Sequence, residues 1–117
     1  MNKIVIFLLL FASCSASKSL HQVARKEKLS VSFFSIGSGI DYKKKVELDR
    51  FILDFQKSEN VSLNIEKYKW GKEGEEDYCI DLKQISKDRQ SLFVEKVRQL
   101  SASSNLIKIN EVDSCKK

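Results

Sequence analysis

A single histidine, His21, limits the chemistry that this chain can perform. Nucleophilic catalysis by serine or cysteine needs a neighbouring base, which is most often histidine. Because His21 precedes the predicted folded domain, no Ser-His-Asp or Cys-His arrangement can be assembled inside that domain. Glu75 and Asp77 could act as an acid and base pair, but a small open-faced sheet offers little of the enclosed pocket that such chemistry needs. The sequence therefore predicts a non-catalytic protein without a cofactor.

The most informative reactive group is the thiol of Cys14. It follows a positive charge at Lys3 and eight consecutive large apolar residues at 4–11 (IVIFLLLF), after which small side chains begin. This layout is typical of a secretory signal peptide. A bilayer-spanning helix needs about 20 mainly apolar residues, so no permanent transmembrane helix is expected here. Residues 11–14 (FASC) resemble the lipobox of bacterial lipoproteins, in which small residues precede an invariant cysteine.

The resemblance implies that residues 1–13 are removed as a signal peptide and that Cys14 becomes the first residue. In this class the thiol carries diacylglycerol and the new amino group carries an acyl chain such as palmitate, and several chains bind a bilayer firmly. Residues 15–17 (SAS) lack the aspartate that retains such proteins in the inner membrane, which favours the periplasmic face of the outer membrane. The alternative is secretory cleavage after Ala16, which would discard Cys14.

The segment at 14–29 is polar and mostly basic, and it is predicted to be a lipidated tether. The net charge of the chain is +5, and removal of Lys3 with the signal peptide lowers it by one unit. A mildly basic balance fits contact with anionic head groups or cell-wall polymers, but it lacks the concentrated basic stripe of a duplex-binding domain. Export would also separate the chain from cellular RNA, so no nucleic-acid partner is expected.

The remainder, 30–117, is predicted to be one small α+β domain. Residues 30–40 are predicted to form a strand and a turn, and further strand patterns lie at 61–70, 77–82 and 105–112. Helical patterns at 42–58 and 87–101 begin after the capping residues Asp41 and Ser86. The order β-α-β-β-α-β predicts the ferredoxin-like split βαβ arrangement, with one antiparallel sheet and two helices on one face. The other face of the sheet is then the natural place for a partner.

The second predicted strand carries a change of phase. Val61, Leu63 and Ile65 alternate on one side, whereas Tyr68 and Trp70 alternate out of register with them. We expect a β-bulge near residue 67 to bring the two sets onto one face.

Two cysteines, Cys79 and Cys115, remain once Cys14 is assigned to lipid. An even number in an oxidising compartment suggests a disulfide. The topology is expected to place the start of the third strand and the end of the fourth at the same end of the sheet, separated by the first strand. Two strand spacings are about 10 Å, too far for direct bridging. The tail that carries Cys115 could fold across this gap, and two separate thiols are the alternative.

Aromatic and basic side chains alternate in KYKWGK at 67–72. This pattern can support stacking or cation–π recognition. We expect Trp70 and Tyr68 to cover an edge of the sheet or its core, or else to form a partner-binding patch with Lys72 and Tyr78. The third strand matches no RNA-binding motif. The acidic segment at 73–81 could bind a cation through oxygen ligands, but it lacks EF-hand spacing and no metal site is assigned.

The sequence thus predicts a membrane-anchored bacterial envelope lipoprotein with a small non-catalytic binding domain. Its expected partners are the lipid bilayer, through acylated Cys14, and an envelope protein or a glycan. Two alternatives remain open. One is a soluble secreted or periplasmic accessory or inhibitor protein, and the other is a cation-binding or enzymatic domain that uses the acidic hairpin at 73–81.

Overall fold

The computed structural model describes residues 26–115, which form two helices and one four-stranded antiparallel sheet. The elements are β1 (Lys28–Phe33), α1 (Tyr42–Glu59), β2 (Ile65–Lys69), β3 (Glu76–Asp81), α2 (Lys87–Ser101) and β4 (Ile107–Val112). The α+β class and the β-α-β-β-α-β order are confirmed. The predictions for Cys14, for the signal peptide and for most of the tether fall outside the described residues.

Strand β1 lies at the centre of the sheet, whose strand order is β2-β3-β1-β4. It pairs antiparallel with β3 on one side, where Ser30 faces Cys79, and with β4 on the other, where Ser30 faces Asn110. Its burial alternates, with Leu29, Val31 and Phe33 fully buried. Alternate residues of a strand point to opposite faces of a sheet. One face of β1 is therefore core and the other carries polar side chains.

Helix α1 begins where its sequence predicts. The carboxylate of Asp41 accepts a hydrogen bond from the backbone N–H of Lys44, 3.1 Å away, which satisfies one of the free donors of the first turn. The helix ends at Glu59, and the next residue, Asn60, caps it with a φ of 52°, the left-handed conformation common at helix ends. Helix α2 begins after Ser86, but there the backbone oxygen of Ser86 accepts from Arg89 and its side chain makes no cap bond.

The core lies between the helices and one face of the sheet. At its centre the rings of Phe51 and Phe55 in α1 contact Phe93 of α2, with ring centroids 5.4 and 4.9 Å apart. Leu48 and Ile52 complete the buried stripe of α1 at spacings of three and four. This burial supplies most of the stabilising free energy of a small domain.

The β2 strand differs from its prediction. It covers Ile65–Lys69 and not 61–70, and its pairing with β3 is continuous, so the expected bulge near Lys67 is wrong. Val61 and Leu63 precede the strand and pack on the core from an irregular segment. The change of phase arises because Ile65 and Tyr68 point to opposite faces. Strand β1 also begins at Lys28, two residues before the predicted pattern.

The face of the sheet away from the helices is here called the open face. Strand alternation and the cross-strand register assign its members. They are Lys28, Ser30, Ser32 and Phe34 from the first strand and its extension, Glu66, Tyr68 and Trp70 from the second, Asp77, Cys79 and Asp81 from the third, and Lys108, Asn110 and Val112 from the fourth. No helix of the described domain packs on these side chains.

Candidate functional site

The C-terminal segment crosses part of the open face. Cys79, in the middle of β3, and Cys115 lie within disulfide distance, with their Cα atoms 6.0 Å apart. The chain leaves β4 at Val112 and passes over β1 to reach β3, and Lys26 Nζ pairs with the Asp113 carboxylate at 3.0 Å on the way. The predicted crossing of the tail is therefore present.

The geometry behind that prediction needs one correction. Val112 at the end of β4 is level with Lys28, and Lys28 faces Asp81 at the end of β3. The end of β4 thus lies beside the end of β3 and not beside its start, because both strands run antiparallel to β1. The tail consequently turns back along the sheet to reach Cys79.

The uncovered end of the open face carries an aromatic pair. Trp70 keeps 46% of its surface exposed, and Tyr68 is half-buried beside it on the same side of β2. Trp70 Nε1 donates to Asp77 Oδ1 at 3.0 Å, and Ser32 Oγ donates to the same oxygen at 2.5 Å. The Tyr68 hydroxyl donates to the Glu66 carboxylate. The polar tips are thus held by the sheet, which fixes the ring orientations and leaves the rings available for contact.

Phe34 extends this pair across the sheet. Its backbone N–H donates to the Leu106 oxygen at 3.1 Å, so the ladder between the first and fourth strands continues past Phe33. Strand alternation then places the half-buried Phe34 side chain on the open face. We call Phe34, Tyr68 and Trp70 the aromatic patch. Fixed aromatic rings beside carboxylate and hydroxyl groups can contact an apolar or cationic surface while accepting hydrogen bonds from it.

The other two residues predicted for the patch lie elsewhere. Tyr78 is fully buried on the helix side of β3, where its hydroxyl donates to Asp49 Oδ1 at 2.6 Å. Burial and this hydrogen bond raise the pKa of Tyr78 far above its ordinary value of 10.0. Lys67 Nζ lies 4.6 Å from the centroid of the Tyr78 ring. Lys72 is exposed in the hairpin loop between the second and third strands. The structure therefore joins Tyr68 with Trp70 and separates both from Tyr78.

The acidic hairpin does not gather its carboxylates. Among residues 26–115, no three His, Cys, Asp or Glu side chains are grouped closely enough to hold a metal ion. Each acid has a different hydrogen-bond partner. The partners are Ser35 Oγ for Glu73, the Glu73 N–H for Glu75, Lys45 Nζ for Glu76, Ser32 Oγ and Trp70 Nε1 for Asp77, and the Lys83 N–H for Asp81. These contacts tie the hairpin to its neighbours and direct its acids apart.

A groove of about 540 Å³ runs between the outer sides of α1 and α2. Phe51 and Leu100 line it together with the charged side chains of Arg50 and Lys96. Sequence reasoning did not identify this surface. The available signal was Val46, an apolar residue of α1 outside the buried stripe.

The length and apolarity of the two described helices were compared with those of a membrane-spanning helix. Neither α1 nor α2 is long and apolar enough to cross a bilayer. No protein-family model, curated protein or solved structure matches the chain.

Proposed function

We propose that this chain is a bacterial envelope lipoprotein, anchored through acylated Cys14, whose small domain binds another envelope component without catalysing a reaction. The observation that carries the proposal is FASC at residues 11–14, directly after eight large apolar residues. An apolar stretch of that length fits a cleaved signal better than a permanent span. A cysteine at the cleavage point then supplies the thiol for lipid attachment.

The cysteine pair supports export. Cys79 and Cys115 lie at disulfide distance, and protein disulfides persist mainly in oxidising compartments such as the bacterial periplasm. Use of both thiols inside the domain leaves Cys14 as the one cysteine available for another role, since the chain has three. The absence of aspartate at residues 15–17 favours the outer membrane as the site of attachment.

The aromatic patch is the surface that we assign to the partner. Trp70 and Tyr68 are aromatic residues of the kind enriched among binding hot spots, and their tips are already fixed by hydrogen bonds. A fixed ring loses little conformational freedom when a partner covers it. The partner is an envelope protein or a glycan, and Lys72 at the adjoining hairpin is a candidate rim contact.

A freely secreted or periplasmic accessory protein is the second candidate. The observation that favours it is the small-residue run at 15–17, where a signal peptidase could cleave after Ala16. Both candidates use the same folded domain. They differ in whether Cys14 is retained.

Intact-mass measurement of the processed protein separates the two. The lipoprotein has Cys14 as its first residue with added acyl mass, whereas secretory cleavage leaves Ser17 first and no lipid. A Cys14→Ser variant should leave the membrane fraction, and a Ser13→Ala variant, which retains the thiol and a small residue before it, should remain in it. A wild-type protein that is unacylated, or that retains residues 1–13, would contradict the anchor.

A further inference from the structure

We infer that the outer surface of α1 docks onto anionic lipid head groups. The surface is a stripe of Lys43, Val46, Arg50, Leu53 and Lys57, spaced alternately by three and four residues. This spacing places all five on one side of a helix. All five are exposed, and basic and apolar side chains alternate along the full length of α1. We call it the basic-apolar stripe.

The apolar members of the stripe are unusual for a helix of this kind. Val46 is 55% exposed and Leu53 is 51% exposed, on the side of α1 opposite to the buried Leu48, Ile52 and Phe55. Single exposed apolar residues are common on protein surfaces. Here two of them are aligned, and each lies between two cations. That arrangement matches helices that rest in a lipid interface with their apolar side chains among the head groups.

The cations of the stripe are also available. Within residues 26–115, no ion pair involves Lys43, Arg50 or Lys57. The two lysines beside them are engaged, since Lys44 pairs with Glu47 at 3.1 Å and Lys45 with Glu76 at 2.5 Å. The fold therefore neutralises the inward lysines of α1 and leaves the outward cations for an external anion. Asp54 lies beside the stripe and lowers its net positive charge.

The groove between the helices extends the same surface. Val46 and Arg50 of the stripe line it, together with the apolar Phe51 and Leu100. Its other charged lining residues are Lys44, Lys96, Glu47 and Asp54, so cations exceed acids by one. A phospholipid combines an anionic phosphate with apolar chains, so it matches both features of this surface. A partner protein would be better served by a cluster of aromatic anchors, and the aromatic patch of this domain lies on the open face.

The inference deepens the proposed function and rests on it for the source of the lipid surface. Residues 15–27, between Cys14 and the start of β1, can span at most about 45 Å. An anchor of that length keeps the domain near the bilayer, so even weak docking would be populated. Because the helices and the open face lie on opposite sides of the sheet, docking through α1 directs Trp70 away from the lipid.

Tryptophan fluorescence tests this orientation. The processed protein is placed in vesicles of phosphatidylcholine with brominated acyl chains, with or without phosphatidylglycerol. Trp70 is the single tryptophan of the chain and should not be quenched. The added tryptophan of a Leu53→Trp variant should be quenched when phosphatidylglycerol is present. The effect should weaken in about 1 M salt, where the screening length is about 3 Å.

Charge variants supply the matched control. The substitutions Lys43→Gln, Arg50→Gln and Lys57→Gln are made together in the Leu53→Trp variant, whose quenching reports docking. They should lower the ratio of docked to undocked protein about 100-fold, because each cation near an anionic surface contributes about fivefold. The control is Lys69→Gln, Lys83→Gln, Lys108→Gln. It removes the same charge from exposed positions outside the stripe and should leave quenching nearly unchanged.

Equal quenching of the Leu53→Trp variant with and without phosphatidylglycerol would overturn the inference. Equal effects of the two triple variants on docking would do the same, and so would quenching of Trp70 in the wild-type protein. The last result would place the open face on the lipid. The anchor is tested separately by sedimentation with pure phosphatidylcholine vesicles. Suppose that sedimentation is lost there while the brominated chains still quench the Leu53→Trp variant in vesicles with phosphatidylglycerol. That result would reject the anchor and support the stripe.

Discussion

Cys79 and Cys115 approach each other across β1, with Cα atoms 6.0 Å apart, although β3 and β4 are not neighbours in the sheet. The link holds the segment after Val112 against the open face. It also confines the uncovered part of that face to the end that carries Trp70, Tyr68 and Phe34.

Removal of this link should destabilise the domain. Cys115→Ser is expected to lower the free energy of unfolding by about 3–4 kcal/mol, because the disulfide closes a loop of 36 residues in the unfolded chain. Urea denaturation measures the difference. Ser114→Ala is the control and should change the value by less than about 0.5 kcal/mol. In excess thiol the wild-type protein and Cys115→Ser should unfold alike, and a difference that persists there would contradict the assignment.

The buried hydroxyl of Tyr78 should stabilise the domain at neutral pH. Tyr78→Phe removes a hydrogen bond to the Asp49 carboxylate and is expected to lower the free energy of unfolding by about 1–2 kcal/mol. Tyr42→Phe is the matched control, because Tyr42 is 59% exposed and should change stability little. Equal effects of the two substitutions in denaturant titrations would count against a stabilising Tyr78–Asp49 bond.

The raised pKa of Tyr78 predicts that the domain loses stability in alkaline solution. Burial and the Asp49 hydrogen bond raise the pKa of Tyr78 above 10.0 in the folded protein. The stabilisation is therefore complete below about pH 10 and declines above it, because the unfolded tyrosine loses its proton first. The decline is at most about 1.4 kcal/mol per pH unit. We expect the stability difference between wild type and Tyr78→Phe to shrink above pH 10, and a constant difference would show that the hydroxyl does not titrate in this way.

Trp70 should matter more for binding than for folding. Trp70→Ala is expected to lower the free energy of unfolding by about 1 kcal/mol, since the ring is only half covered. Binding to an isolated envelope fraction should weaken at least about tenfold, as for a hot-spot aromatic residue. Ile36→Ala is the control, because it removes an apolar side chain that is 77% exposed on a loop. If Trp70→Ala unfolds more easily but binds normally, Trp70 has a structural role alone.

Calcium should leave the domain unchanged. The carboxylates of the 73–81 hairpin have separate partners, so a divalent ion would have to displace Lys45 from Glu76 and Ser35 from Glu73. We expect no heat in a calcium titration and no change in Tm. A rise in Tm that Glu73→Gln abolishes would restore the cation-binding alternative.

The helices could be predicted from sequence because their signals are local. Leu48, Ile52 and Phe55 repeat at helical spacing, and Asp41 caps the first turn. The succession of strands and helices along the chain followed from the order of the patterns. These features depend on residues within a few positions of one another. In the folded domain the apolar residues among them pack in the core, so local and tertiary interactions favour the same structure.

The composition of the binding surface was harder to predict. Tyr78 alternates with Ile80 and Leu82, which already indicated a common face, but alternation does not reveal which face the helices cover. The phase change before Tyr68 was attributed to a bulge, whereas the structure shows two faces of a regular strand. The basic-apolar stripe was missed because Val46 and Leu53 stand out only once the core side of α1 is known.

The central position of β1 affects the timing of folding. Residues 28–33 are made early, but their pairing with Ile107–Val112 spans almost the whole domain. Contacts between such distant segments form slowly, because a long loop must close first. During synthesis the sheet cannot be completed until the last strand has emerged. If the chain is exported as proposed, translocation machinery that threads extended polypeptides would meet a chain that has not yet folded.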